Sequence, residues 1–317
     1  EDTNNEIRKF DENDVKGYDK LLKTSKDIFE IGFEKLSDKP FISFWEMAKQ
    51  LPSLIKLKSY LTVSQLVNSK LKNKYLRKAF SIHPLLVGGN PFTTTSIYAL
   101  IHYLERKWGV FFCMGGTGKI VKELENLMVR QGIDIKKQSD VERISITNGK
   151  AENVVLTDGS KIEADLVICN ADPPTVYSEM LPSKYSRDSL LKPKKFTHYS
   201  MGLYVLFFGS KKKFSDVAHH TIWMSERYKE LLHDIFEKKI LTDDFSLYLH
   251  RPTATDETFA PEGCDSFYVL CPVPNLQGDV QWDSEGPKLK DKIVEALDRT
   301  IMPGLTENIE AEFWMTP

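Results

Sequence analysis

Residues 115–174 read GGTGKIVKELENLMVRQGIDIKKQSDVERISITNGKAENVVLTDGSKIEADLVICNADPP, and the fold turns on this stretch. Gly115, Gly116 and Gly118 suit a tight turn where backbone passes close to a neighbour. Ile120, Val121, Leu124, Leu127 and Met128 then recur at helical spacing, and Gly132 stands where a helix-terminating glycine belongs. Short β-prone runs follow at Ile133–Lys136, Val141–Thr147 and Ala151–Leu156, with hairpin turn signals at Asn148-Gly149 and Asp158-Gly159. Leu166-Val167-Ile168-Cys169 reads as a strand buried on both faces. It runs into Asn170-Ala171-Asp172-Pro173-Pro174, where a helix can begin. The pattern is a βαβ-type unit with a small sheet inserted. Its last strand carries polar residues at the carboxyl edge, where open α/β sheets bind ligands.

The segment before this stretch, residues 1–108, reads as helical. Asp11 or Asn13 caps a helix with Val15, Tyr18, Leu21, Leu22, Ser25, Ile28 and Phe29 on one face. Pro40 breaks the pattern, and Ser43 with Glu46 three residues on forms a capping-box signature. Leu51–Tyr60 is apolar at Leu51, Leu54, Ile55 and Leu57 with Lys56 and Lys58 interleaved. That stripe fits a membrane-surface helix or a packed helix with snorkelling lysines. Further helices are expected at Asn73–His83 and Ser96–Trp108. Beyond the central stretch, residues 181–317 alternate strands with helices. Strands are expected at Ser200–Phe208, His219–Trp223, Phe245–His250, Phe267–Pro272 and Ala311–Met315, with helices at Ser225–Lys239 and Leu289–Ile301. Such a region reads as a mixed sheet walling a cavity.

Composition narrows the function classes. Hydrophobic residues make up 41% and charged residues 28% of 317, ordinary for a globular protein. A formal net charge of −2 gives no reason to expect a nucleic-acid partner. The cysteines, Cys113, Cys169, Cys264 and Cys271, include no C-x-x-C pair, so neither disulfides nor a zinc site is expected and no metal is assigned. GTGK at 116–119 is not a phosphate-binding Walker loop, because Cys stands at 113 and Ile at 120. His219-His220 is a tempting metal pair, but consecutive strand residues point to opposite faces. The weak catalytic candidates are Glu46 and Lys49, three apart on one helix, and His83 beside Pro84.

The order of the central stretch (GG-x-G, helix, a D-V-x-x-I strand, a hairpin, V-I-C-N-A-D-P-P) resembles the middle of FAD-dependent desaturases and amine oxidases. Three runs narrow the resemblance: SIHPLLVGGNPFTTTSIYALIHYLERKWGVFF at 81–112, FSLYLHRPTATDETFAPEGCDSFYVLCPVP at 245–274 and EGPKLKDKIVEALDRTIMPGL at 285–305. These look like bacterial phytoene desaturases, the carotenoid-desaturase family. The resemblance implies a mixed α+β fold of three regions. Residues 1–108 would be a helical substrate- and membrane-facing region. Residues 109–180 would be an incomplete FAD-binding Rossmann-like domain with the small sheet inserted, and residues 181–317 a mixed-sheet substrate domain. It also implies FAD as cofactor, phytoene as substrate, hydride transfer to flavin N5, and quinone or oxygen as acceptor. The expected location is cytoplasmic with peripheral membrane contact, since phytoene is a lipid drawn from the bilayer. Val141 maps to the family's adenine-side valine, and Asn170, Ala171 and Asp172 to the loop that approaches the cofactor; capping of the next helix is the other reading of Asn170 and Asp172. The family's N-terminal G-x-G-x-x-G and C-terminal FAD segment have no counterpart here, so the chain reads as an internal piece of a longer protein. A carotenoid isomerase or other desaturase of the family, and a non-catalytic lipid-binding module, are the alternative readings.

Overall fold

The structure is a computed structural model that describes residues 2–38, 44–185 and 199–317. It divides into two compact units, Glu1–Gly116 with Ser200–Pro317, and Thr117–Tyr199.

The first half of the larger unit is helical: α1 (Asp2–Arg8), α2 (Asn13–Gly32), α3 (Phe44–Lys56), α4 (Val63–Asn68), α5 (Lys74–Ser81) and α6 (Leu100–Trp108). The face of α2 expected from periodicity is the buried one. Tyr18, Leu21 and Ile28 pack with Val63, Leu66, Val67, Leu71 and Leu76. Asp14 is buried beside them and accepts from the backbone N–H groups of Lys72 and Asn73, at 2.7–2.9 Å. A buried carboxylate is tolerable only with such donors, so Asp14 ties α2 to the start of α5. Thr62 and Gln65 form a reciprocal capping box on α4. Pro40 and Ser43 lie outside the described residues. Within Leu51–Tyr60 the apolar stripe divides: Leu57 is buried in the core, whereas Leu51 and Ile55 are exposed. The chain reverses just after Leu57, at Lys58 with φ 57°.

The second half of that unit is a five-stranded sheet in the order β5-β6-β7-β4-β8. Its strands are β4 (Gly202–Ser210), β5 (His220–Trp223), β6 (Leu247–His250), β7 (Asp265–Val273) and β8 (Ile309–Met315). A mixed sheet is expected from the sequence; every pairing is antiparallel. The helices between these strands bring the chain back in the opposite sense and do not form βαβ crossovers. One face is closed by the helix Trp282–Arg299, whose Leu289, Ile293, Val294 and Leu297 pack on Tyr204, Leu206, Phe208, Leu247, Leu249, Phe267 and Val269. The predicted helix 225–239 exists as Tyr228–His233 continuing into a π-helical turn, Asp234–Lys238. Its apolar side, Tyr228, Leu231, Leu232 and Ile235, meets Ile82, Leu85 and Phe92 from the helical half and Met201 from the sheet half. This third cluster makes the two halves one body.

The smaller unit contains α7 (Thr117–Arg130) and the antiparallel meander β1 (Val141–Thr147), β2 (Lys150–Leu156) and β3 (Lys161–Glu163). The inserted small sheet is thus as expected. Gly132 (φ 78°) ends α7 in a Schellman pair, with Ile133 N–H donating to Met128 O and Gly132 N–H to Val129 O, as an αL residue at that position requires. Asn148 and Gly149 both have positive φ, the backbone a two-residue hairpin turn demands. Two expected strands are absent. Ile133–Lys136 is irregular, and so is Leu166–Cys169, where Leu166 is 74% and Ile168 88% exposed. A strand buried on both faces needs parallel neighbours and cover, and among the described residues none pairs with this one. For the same reason α7 buries no residue; Ile120, Val121, Leu124 and Leu127 all face solvent. Among the described residues no helix is long and apolar enough to cross a membrane.

Candidate functional site

The sheet of the larger unit has a second face, and it is apolar too. Register partners place Phe313, Phe207, Tyr268, His250 and His220 in one row across all five strands. The next row holds Met315, Val205, Leu270, Tyr248 and Ile222. Phe313 stacks on Phe207 at 4.5 Å, Phe207 lies 5.9 Å from Tyr268, and Tyr268 stacks on His250 at 4.5 Å. With strands spaced 4.7–4.9 Å, such a row runs about 19 Å. Ile222, Phe313 and Met315 are each about half exposed. The result is a long aromatic and aliphatic wall.

At the β5 end of this wall three imidazoles converge. The rings of His219 and His250 are 4.6 Å apart, those of His219 and His220 4.5 Å, and those of His220 and His250 5.3 Å. The expectation that His219 and His220 diverge therefore fails. The strand begins only at His220, and the backbone bends at His219, so strict alternation does not reach that residue. Nδ1 of His219 meets Thr255 Oγ1 at 2.5 Å, and Tyr248 OH lies 2.6 Å from His220 Nδ1 and 3.3 Å from His250 Nδ1. Burial, then the neighbouring His219 and His220, push His250 down to about 4. Burial also lowers the other two rings. Phe112 covers His219 at 4.7 Å. The glycine turn lands beside it: Gly115 N–H donates to Asp256 Oδ2 at 2.8 Å. A Cβ on Gly116 (φ +80°) would sit 2.8 Å from Phe259 Cζ. The close approach inferred from the glycines is thus to the 256–259 loop. The Thr258 hydroxyl first, then the Gly115 amide, hold the Asp256 carboxyl below its ordinary range.

The sequence candidates in the helical half fall elsewhere. His83 is buried, with Nε2 3.5 Å from Glu105 Oε2 and its ring 5.4 Å from His102. His102 Nε2 pairs with Tyr18 OH at 3.1 Å, and burial with the adjacent His83 pushes it down to about 4. Neither His102 nor Glu105 stands out in the sequence. Both sit on α6, where helical spacing reads as packing. Lys49 is exposed on α3, and the side chain of Glu46 lies outside the described residues. In the smaller unit Val141 opens β1 and is 37% exposed. Asn170, Ala171 and Asp172 are exposed in the loop after Cys169. Asp172 takes the cap position of the turn Pro173–Thr175 without a side-chain capping bond.

The fold matches those of solved oxidoreductases. An oxidoreductase from Methanosarcina mazei matches with a TM-score of 0.59 at 17% identity, over 87% of this chain and 62% of that one. A putrescine oxidase variant matches with a TM-score of 0.59 at 13% identity, over 96% of this chain and 61% of that one. Residues 5–245 match the flavin containing amine oxidoreductase family, and the chain belongs to that family. Among its relatives, a lycopene-forming phytoene desaturase of Pseudescherichia vulneris is 42% identical over 98% of this chain and 64% of its own length. That of Pantoea ananas is 41% identical over the same shares. A neurosporene-forming phytoene desaturase of Rhodobacter capsulatus is 38% identical over 98% of this chain and 61% of its own length. The chain thus spans just under two thirds of the length of these relatives.

Proposed function

We propose that the chain is the central part of an FAD-dependent phytoene desaturase, which introduces double bonds into phytoene. The observation that carries this reading is the identity of 41–42% to lycopene-forming desaturases across 98% of the chain. The aromatic wall of the sheet supports it, since an unsubstituted polyene offers nothing but apolar surface and π-faces to hold. FAD, when bound, supplies the hydride acceptor that an unactivated C–C bond requires. Val141 and the exposed Asn170, Ala171 and Asp172 would hold it, their exposure leaving them open to a cofactor. The protein's own work is then to orient the polyene, keep water from the reacting carbons and exclude competing reactions.

In the same reading, residues 1–108 face substrate and membrane, 109–180 belong to the FAD-binding domain and 181–317 form the substrate domain. Peripheral membrane contact runs through α3 and the turn after it. Trp45, Leu51, Ile55 and Tyr60 are exposed there, with Lys56 and Lys58 beside them, the composition of an interfacial helix. Electrons leave to a quinone or to oxygen. Glu46, Lys49 and His83 remain the candidates for a proton-handling role. The test is to supply the protein carrying this chain with FAD and phytoene in liposomes. Conjugated products absorbing visible light are expected. A bound, reducible flavin with no desaturated product under any acceptor overturns the substrate assignment and leaves a lipid-binding module; an isomerised polyene as sole product points to an isomerase.

A further inference from the structure

The three histidines at the end of the aromatic wall carry more than packing. One ring nitrogen from each of His219, His220 and His250 lies within 4.8 Å of the other two. A tetrahedral ion with metal–nitrogen bonds of about 2.0–2.1 Å holds its ligand nitrogens roughly 3.3 Å apart, so small side-chain rotations close the set. The hydrogen bonds already orient the rings for this. Thr255 Oγ1 takes Nδ1 of His219, and Tyr248 OH takes Nδ1 of both His220 and His250. A hydroxyl oxygen has two lone pairs, so with both rings protonated at Nδ1 Tyr248 can accept two N–H groups at once. With the Nδ1 atoms protonated in this way, the Nε2 lone pairs are free for an ion, the arrangement in which an outer hydroxyl fixes a metal-bound imidazole. A second observation is independent of the first. Nε2 of His219 is buried and has no hydrogen-bond partner, and an orphaned buried nitrogen is destabilising unless something fills its place.

We propose that His219, His220 and His250 bind one divalent first-row transition metal ion, zinc by the chemistry of three neutral imidazoles. The ring nitrogens come from two neighbouring strands and a bend. A bound ion therefore fastens β5 to β6, and through Thr255 and Phe112 it braces the 251–256 loop and the glycine turn. This inference does not depend on the desaturase reading.

The test is metal titration of the tag-free full chain. Zn²⁺ is measured by competition with a chromophoric chelator, and Co²⁺ by its visible d–d bands. One equivalent is expected, with the intense Co²⁺ bands of a four- or five-coordinate imidazole site. His220→Asn, at an exposed ligand that folding does not need, should weaken binding at least tenfold. Tyr248→Phe keeps all three ligands but removes the shared acceptor, and should weaken binding about 10–100-fold. Circular dichroism confirms that both variants are folded. Substoichiometric binding, a purely octahedral Co²⁺ spectrum, or affinity unchanged in His220→Asn overturns the proposal. In the last case a variant of His102 reports whether the ion sits instead among His83, His102 and Glu105.

Discussion

Replacing Asp265 should be the most damaging single change at the sheet, and its size can be worked from the structure. The Asp265 side chain is 0% exposed and that of Arg251 9%. Asp265 accepts from Arg251 Nε at 3.0 Å, Thr253 Oγ1 at 2.6 Å and Phe214 N–H at 2.7 Å. Arg251 Nη1 donates onward to Val217 O at 2.9 Å. Asp265→Ala leaves Arg251 Nε, a hydroxyl and an amide without their acceptor and the guanidinium charge without its counter-charge inside the core, and removing one partner of a buried pair costs about 3–5 kcal/mol. Against a total stability of about 5–15 kcal/mol, that loss should bring the larger unit close to unfolding. The assay is urea denaturation followed by tryptophan fluorescence, since Trp223 and Trp282 pack on the same core. The double variant Arg251→Met with Asp265→Leu removes both charges and should recover the part of the loss due to the unpaired charge, the Thr253 hydroxyl and Phe214 amide remaining without an acceptor. A cost below about 1 kcal/mol for Asp265→Ala, the worth of a surface pair, would refute the reasoning. So would a double variant as weak as the single one.

Other expectations follow from the same kind of geometry. Gly116→Val should destabilise by about 1–3 kcal/mol through its φ of +80° and the 2.8 Å approach to Phe259; relief by the second change Phe259→Ala, read by thermal melting, would show how much is steric. His102 has its pKa pushed from the ordinary 6.5 to about 4, a preference for the neutral ring of about 3 kcal/mol. The folded pKa is depressed, so the unfolded chain binds the extra proton. Stability is then complete above pH 6.5 and falls as pH drops toward 4. His102→Gln should flatten that part of the pH–stability curve, and an unchanged slope counts against the assignment. Leu51→Ser with Ile55→Ser should weaken liposome sedimentation while leaving the circular dichroism spectrum native, at roughly 1.5–3 kcal/mol for each side chain fully buried. Leu57→Ser, at a core position, should instead lower the melting temperature. Equal sedimentation of all variants would assign the stripe to packing.

Elements that depend on local rules were legible in the sequence. The buried face of α2 follows from 3.6-residue periodicity, and the Asn148-Gly149 hairpin from the scarcity of residues that accept positive φ. Elements that depend on distant partners were not. Leu166–Cys169 has the composition of a buried strand, yet composition cannot supply the neighbours that make one. Leu57 sits in the stripe with Leu51 and Ile55 but ends in the core: Leu51 and Ile55, four apart, share a helix face, and Leu57, two residues past Ile55, lies on the other side. Asp14 carries no mark in the sequence. Its burial follows from two amides 58 and 59 residues away, which no local window reports. The histidine cluster was hidden for the same reason: His250 becomes the register partner of His220 only once the sheet exists.

The candidate site rests on a departure from how exposed sheets are usually built. A sheet with one face on the core ordinarily presents polar residues on the other. In β7 the inward residues Phe267, Val269, Cys271 and Val273 are buried, as that rule requires. The alternating outward residues, Tyr268, Leu270 and Pro272, are apolar or aromatic all the same. Their partners on β4, Phe207, Val205 and Leu203, repeat the pattern. Pairing across strands favours such aromatic and aliphatic neighbours by only about 0.2–1 kcal/mol each, too little to account for two rows dominated by aromatic and aliphatic residues on a face that stays partly exposed. An apolar patch left partly exposed in this way marks a surface that something else covers. A nonpolar polyene, the substrate class proposed above, would cover it if it lay along the rows, and the hydroxyls and imidazoles gathered at the β5 end, from Tyr248 to His219, mark where that apolar wall stops.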